Sequence, residues 1–416
     1  MRAGARAPAA ALAGAAVALA AAPAMLAVPP AAAAAASGSP NATPSRAQRL
    51  QVGGPKMASS GIVVNYPSSG KILKLPKVPA SAYVIADANT GQVLAAKDPH
   101  GQFAPASTLK VLTAVTLIPA LNPSAMVKTT RFAADQEPND VGLVRGRKYQ
   151  VANLFRALLL ISANDAAVAL TQATGSFSKG MAMINAEAHH LQAYDVVAKL
   201  PNGLPAKGQV VSAYDEALIA RQALSIPAFM HYDSTLAARF EVNDVKKKHE
   251  AKKKKEWVTL VNQNQLLTQY RGGLGGKIGW TEKSEATYIG MARRNGVTLI
   301  VTVLHCTPLK EITSGEKLLT WGFHMAGRAK PVGTLVPPLP SAATMRKEQQ
   351  AKATAKAARA RRHAAHQHAV QVASQAEARS SGHMDIGLAA GVGVIAVLGL
   401  GGVARQRRRQ SRGNPS

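Results

Sequence analysis

Apolar and polar positions change period more than once along this chain. Ala82–Ala86 and Gln92–Ala96 are short β-type runs on either side of Asn89-Thr90-Gly91, and turn residues between two such runs signal a hairpin. From Ser107 to about Leu224 the spacing becomes helical: Leu154, Leu158 and Ile161 recur a turn apart, as do Ala217, Ala220 and Leu224. Strand patterning returns at Thr287–Ala292 and Val297–Leu304, around Arg294-Asn295-Gly296. The Asn-Gly pair is a strong short hairpin cue, because both residues accept left-handed backbone. A last helix over Leu309–Phe323 follows. Strands near both ends with helices between them predict one α/β domain over residues 78–330. Its antiparallel sheet is built from both termini, and a helical subdomain is inserted between the N- and C-terminal strands. There are no internal repeats.

The flanks do not look like domain material. Met1, Arg2 and Arg6 open an Ala/Leu/Val run that ends in small residues near Ala32–Ser37, the order of a secretory signal peptide over residues 1–36. Residues 37–77 are rich in Ser, Pro and Gly and read as a linker. Ile386 to Ala404 carries no charge over 19 residues, about the least that spans a bilayer. Arg405, Arg407, Arg408, Arg409 and Arg412 follow. Positive residues favour the cytoplasmic side, so residues 405–416 are expected inside and the domain outside the cell membrane.

Charge narrows the choice of partners. The formal net charge is +28, concentrated in Lys246–Lys248, Lys252–Lys255 and a basic Ala/Arg-rich stalk over residues 331–384. Aromatic content is 4%, and neither run interleaves aromatics as a base-stacking surface would, so nucleic acid is not the expected partner. For an exported chain the anionic partner is a wall polymer or the membrane surface. One cysteine, Cys306, excludes an internal disulfide. It closes an apolar run and reads as a buried thiol. His189, His190 and His249 show no ligand spacing, and no metal or cofactor is expected.

Ser-x-x-Lys occurs four times, starting at Ser68, Ser107, Ser176 and Ser314, so the motif alone selects nothing. Only Ser107 heads an apolar helical run, anchored by Leu109, Leu112 and Leu117. A helix start offers unpaired N–H groups and the positive dipole end, and Lys110 lies on the same face. An amine serves as base only when neutral, so its ordinary pKa of about 10.4 has to fall through desolvation or a second cation. Ser162-Ala163-Asn164 supplies a hydroxyl and an amide after an apolar stretch. Lys277-Ile278-Gly279, the one Lys-x-Gly of the chain, supplies the cation and a glycine just before the late strands. In this order the three motifs mark penicillin-binding proteins and class A β-lactamases.

The chain resembles the serine-type D-alanyl-D-alanine carboxypeptidases, low-molecular-mass penicillin-binding proteins with the transpeptidase fold shared by β-lactamases. SAYVIADANTGQVLAAKDP, LFRALLLISANDAAVAL, NGLPAKGQVVSAYDEALIAR and NQLLTQYRGGLGGKIGWT carry the likeness, which covers about Val78 to Phe323. The Ala- and Arg-rich ends fit a high-GC actinobacterial relative. The resemblance implies removal of terminal D-alanine from peptidoglycan stem peptides through an acyl-serine, with β-lactams as inhibitors. It implies Ser107 as nucleophile, Lys110 as base, and Ser162 and Asn164 as proton relay and substrate holder. Lys277, Gly279, Trp280 and Thr281 would bind substrate, and the backbone N–H groups of Ser107 and Trp280 would form the oxyanion hole.

One departure stands inside the motifs. The family has threonine where this chain has Ile278, and that hydroxyl bonds the substrate's terminal carboxylate. A bond to a charged group contributes about 1.5–3 kcal/mol, so its loss implies about ten- to hundredfold weaker transition-state binding. Thr281 is the nearest substitute donor, although strand alternation puts it opposite Ile278. KKKHEAKKKKE reads as a surface insertion, and the basic stalk stands where many relatives add a β-rich domain. Two other readings follow: a weakened wall-peptide-binding adaptor, and a β-lactamase. The second lacks a Glu-x-x-Leu-Asn context among Glu187, Glu216, Glu241, Glu250 and Glu256.

Overall fold

The computed structural model describes residues 44–69, 72–242, 256–340 and 342–380. The expected signal peptide, membrane-spanning segment, cytoplasmic tail and both lysine runs lie outside the described residues. Among the described residues no helix is long and apolar enough to cross a membrane.

Among the described residues eleven strands run in chain order: β1 (Ile62–Val64), β2 (Ala80–Asp87), β3 (Gln92–Lys97), β4 (Met126–Lys128), β5 (Lys148–Gln150), β6 (Ala237–Val242), β7 (Glu256–Val261), β8 (Gly273–Thr281), β9 (Glu285–Arg294), β10 (Val297–Cys306) and β11 (Gly333–Thr334). Seven of them form one antiparallel sheet in the order β1-β3-β2-β10-β9-β8, with β11 also on β3. The β2–β3 turn is fixed locally: Asp87 Oδ1 accepts from the backbone of Asn89 and Thr90, and Gly91 takes φ +78°. Between β9 and β10, Asn295 and Gly296 both have positive φ, +49° and +79°, the geometry a two-residue hairpin demands. β10 pairs β2 on one side and β9 on the other. It joins the N- and C-terminal strands, so both chain ends close one sheet.

The sheet is covered on both faces. On one, Tyr83, Ile85, Tyr288, Val301 and Val303 pack with Leu318, Leu319 and Trp321 of the Glu311–Met325 helix. On the other, Val84, Ala86, Ile289, Met291 and Ile300 join the helical subdomain, built from helices Leu109–Leu117, Val151–Leu160, Asn164–Gln172, Phe177–His190 and Ala213–Leu224. This is the antiparallel sheet flanked by helices that the sequence pattern predicts.

The boundaries differ at three places. The expected linker carries structure from residue 45 on. β1 pairs β3, Met57 is fully buried, and Arg49 bonds Asp195 at 3.2 Å. At the other end, Val332 and Leu335 are buried and β11 pairs β3, so the domain runs past residue 330. The stalk beyond it is a 39-residue helix, Ala342–Ser380. Within the helical stretch, β4 and β5 form a two-stranded sheet, and beyond it β6 and β7 pair on either side of the lysine-rich segment. β4 and β5, three residues each, are too short for their alternation to register as a pattern.

Candidate active site

Ser107 sits in a 3-10 turn, Ala106–Thr108, that runs directly into the Leu109–Leu117 helix. The turn is tight. Ala106 has φ +47°, and a Cβ on Gly203 would lie 1.7 Å from the Ala106 carbonyl oxygen, so only glycine fits there. Lys110, one turn on, is fully buried and directs Nζ to three oxygens: Ser107 Oγ at 2.8 Å, Asn164 Oδ1 at 2.7 Å and the Asn202 carbonyl at 2.7 Å.

The donor count at that amine is informative. Asn164 Nδ2 donates to the Glu137 carbonyl at 2.7 Å, which turns Oδ1 toward Lys110 as an acceptor. The Asn202 carbonyl accepts only. A neutral amine spends its two N–H groups on these and keeps its lone pair for the Ser107 hydroxyl proton. The surroundings favour that neutral form: burial, followed by the charge of Lys277, holds the Lys110 pKa well below the usual lysine range, against a smaller opposing pull from Asp165.

Asn164 opens the Asn164–Gln172 helix. Ser162 lies just before it in left-handed backbone, φ +65°, after the Val151–Leu160 helix has ended. The Ser162 side chain is buried, its Oγ has no hydrogen-bond partner, and the residue lines the same cleft as Ser107. A buried hydroxyl left unpaired is costly; here it is available to a substrate atom. Asp165 accepts from the backbone of Val141 and Leu143, pinning the loop that carries Glu137 and Asn139 across the cleft.

β8 forms the opposite wall of this cleft of about 660 Å3. Lys277 is buried, donates to the Ile278 carbonyl at 2.7 Å, and is pushed down to about 7 by burial, with Asp233 opposing. Gly279 lies against Ser107: a Cβ there would be 2.6 Å from the Ser107 backbone nitrogen. That contact sets the Ser107 amide beside β8, next to the Trp280 position. Trp280 is 58% exposed and lines the cleft wall. Ile278 is cross-strand from Tyr288 and also lines the cleft. Thr281 lines it too, but its hydroxyl is shared with Ser284 Oγ at 2.7 Å in the β8–β9 turn.

Ser107, Lys110, Ser162, Asn164, Lys277, Gly279, Trp280 and Thr281 are thus brought together. Sequence reasoning missed Asn202, Asp165 and Asp233. Asn202 and Asp165 stand in stretches similar to the family, NGLPAKG and SANDAA, but a carbonyl or a backbone-binding carboxylate leaves no motif. Asp233 accepts from the Gly276 N–H at 2.6 Å and is pushed up to about 7 by burial. Among the glutamates weighed for a lactamase base, Glu187, Glu216 and Glu241 are not among the residues lining the cleft. Outside it, His100, Asp195 and Asp215 bring ligand-type atoms within 4.8 Å of one another. Both His100 nitrogens already have partners there, Asp195 at 2.8 Å and the Val52 carbonyl at 3.0 Å.

Residues 69–307 match the D-alanyl-D-alanine carboxypeptidase family model. A D-alanyl-D-alanine carboxypeptidase of Mycobacterium tuberculosis, DacB2, is 32% identical over 268 residues, 63% of this chain and 88% of that protein. DacF of Bacillus subtilis, also a D-alanyl-D-alanine carboxypeptidase, is 28% identical over 59% of this chain and 62% of its own length. A crystal structure of a D-alanyl-D-alanine carboxypeptidase from M. tuberculosis superposes with a TM-score of 0.58 at 31% identity, covering 65% of this chain and 99% of that one. A variant of a Streptomyces DD-transpeptidase shares the fold, with a TM-score of 0.55 at 24% identity, over 60% of this chain and 99% of that one. The family match spans more than half of the sequence and contains Ser107, Lys110, Ser162, Asn164 and Lys277, so the chain belongs to the D-alanyl-D-alanine carboxypeptidase family.

Proposed function

We propose that this chain is an exported, membrane-anchored serine carboxypeptidase that removes terminal D-alanine from peptidoglycan stem peptides. The observation that carries the reading is the Lys110 amine, buried and 2.8 Å from Ser107 Oγ. In the proposed cycle Lys110 takes the hydroxyl proton as Ser107 Oγ attacks the carbonyl carbon of the penultimate D-alanine. The oxyanion is stabilised by the backbone N–H groups of Ser107 and Trp280, donors that are fixed before the charge develops. Ser162 passes the proton on to the departing D-alanine nitrogen, while Asn164 holds the peptide amide. Water, activated in turn by Lys110, hydrolyses the acyl-serine.

Lys277 supplies positive potential to the substrate carboxylate and discourages a proton on Lys110. A β-lactam acylates the same hydroxyl and is an inhibitor. The apolar residues 386–404 with the following arginines support the anchor, and residues 1–36 support export. The basic stalk suits an anionic wall polymer. The test is incubation of the full-length chain, and of its Ser107→Ala variant, with a fluorescent penicillin and with a stem peptide ending in D-Ala-D-Ala. The reading requires a long-lived adduct and D-alanine release, both lost in the variant. Rapid penicillin turnover would make it a lactamase, and neither adduct nor release would leave a wall-binding adaptor.

A further inference from the structure

Beneath the nucleophile's turn, on the side away from the cleft, lies a buried carboxyl that the proposed cycle does not use. Glu216, in the Ala213–Leu224 helix, is 1% exposed and its Oε1 contacts Thr108 Oγ1. Thr108 Oγ1 also lies 2.6 Å from the Pro105 carbonyl oxygen, which accepts a second hydroxyl, Thr287 Oγ1, at 2.9 Å. Pro105 O is only an acceptor, and a threonine hydroxyl carries one proton. That single proton cannot satisfy both the Pro105 carbonyl and an ionised Glu216. With Thr108 donating to Pro105, the hydrogen on the other contact has to come from the carboxyl itself.

The remaining oxygen agrees. Glu216 Oε2 is buried with no hydrogen-bond partner, tolerable for the carbonyl of a neutral acid and far more costly for half of a carboxylate.

We propose that Glu216 is a positioning residue held as a neutral acid, which donates to Thr108 and through it fixes the Pro105–Ala106–Ser107 turn. The relay runs from the Glu216 carboxyl to the Thr108 hydroxyl to the Pro105 carbonyl. Pro105 is the residue before left-handed Ala106, so its orientation sets where the Ser107 amide and Oγ lie. Ionising Glu216 removes the donor. Thr108 then turns its proton to the carboxylate, and Pro105 is left with Thr287 alone.

The groups around Glu216 leave this the controlling event. β2, β9 and β10 turn Val84, Ala86, Ile289, Met291 and Ile300 into the same apolar cluster. Lys110, on the Leu109–Leu117 helix, is committed to Ser107, Asn164 and Asn202. Asp215 accepts from the Asp195 N–H at 2.7 Å, and Asp233, on the Pro227–Asp233 helix, accepts from Gly276. Burial pushes the Glu216 carboxyl up to about 8.

The inference rests on Ser107 being the acylated residue, and the test separates the two. In the full-length chain, the rate of acylation by fluorescent penicillin is measured against pH for wild type, Glu216→Gln and Glu216→Ala. A glutamine donates the same bond to Thr108 and does not titrate. Lys277 titrates in the same range, so the reading is the difference between wild type and the glutamine variant. Glu216→Gln is expected to keep wild-type acylation at pH 7 and to lose one descending component near pH 8. Glu216→Ala is expected to acylate about ten- to hundredfold more slowly at pH 7, with unchanged initial binding of the drug. Superimposable profiles for wild type and Glu216→Gln overturn the proposal, even where Glu216→Ala does not fold. Absence of any Ser107 adduct in the wild type instead overturns the function proposed above.

Discussion

Gly279→Ala puts the geometry of the cleft to a direct test. The added Cβ would meet Thr287 Oγ1 at 2.5 Å, the Ser107 backbone nitrogen at 2.6 Å and Ala106 Cβ at 3.0 Å. Carbon contacts are comfortable near 3.5 Å, so β8 and the nucleophile's turn have to separate by about 0.9 Å at the Ser107 amide. Thr287 cannot simply rotate away, because its hydroxyl holds the Pro105 carbonyl at 2.9 Å. Gly279 is not among the positive-φ residues, so alanine strains no backbone of its own. The folding cost is that of overpacking, about 1–3 kcal/mol, and Tm is expected to fall by a few degrees. Catalysis is expected to suffer more, since a displacement of about 1 Å costs about a hundredfold in rate, or about 2.7 kcal/mol of barrier. The assay is the second-order rate of penicillin acylation, with D-alanine release from a stem peptide in parallel. Acylation within about threefold of wild type, in a folded variant, would refute the contact between Gly279 and the nucleophile.

Two further substitutions address the same wall. Ile278→Thr is expected to raise kcat/KM for D-alanine release by about ten- to hundredfold, because it returns a hydroxyl worth about 1.5–3 kcal/mol to a bond with the substrate carboxylate. Unchanged release with unchanged Tm would remove this side chain from carboxylate recognition. Lys277→Gln removes a charge that holds down the Lys110 pKa. That pKa is then expected to rise, moving the ascending limb of penicillin acylation to higher pH. A limb that stays in place would show that burial alone sets the protonation of Lys110.

The parts of this fold that show in the sequence are those decided within a few residues. Asp87 folds back onto Asn89 and Thr90, and Asn295-Gly296 accepts two left-handed residues; both hairpins can be read from composition alone. Ser107, Lys110, Ser162, Asn164, Lys277 and Gly279 are legible for a related reason. Few residue types can serve as a nucleophile, a titratable amine, a relay hydroxyl or a Cβ-free contact, and Ser107, Ser162 and Asn164 also stand at the ends of elements. Thr281 shows where local reasoning stops. Alternation places it opposite Ile278, yet both line the cleft, because β8 ends at Thr281 and the turn through Ser284 folds over the opening. The strap of residues 45–64 was hidden for a similar reason. β1 is three residues long and takes its meaning from β3, more than thirty positions on.

What the sequence conceals most thoroughly is the layer that sets protonation. Thr108 and Glu216 are 108 positions apart, and Asp233 reaches Gly276 across 43. None of these carboxyls belongs to a motif, because any acidic residue that the fold delivers to the right backbone or hydroxyl can serve. Their signature is energetic. Burying Lys110, Lys277, Glu216 and Asp233 together displaces each of them toward its neutral form, a cost that a domain stabilised only for folding would avoid by placing apolar residues there. Lys110 requires that cost, since an amine that water keeps charged cannot take the Ser107 proton. The same apolar surroundings that neutralise it neutralise Glu216 behind the turn. One desolvated core therefore supplies both an unprotonated base in front of the nucleophile and a protonated acid behind it.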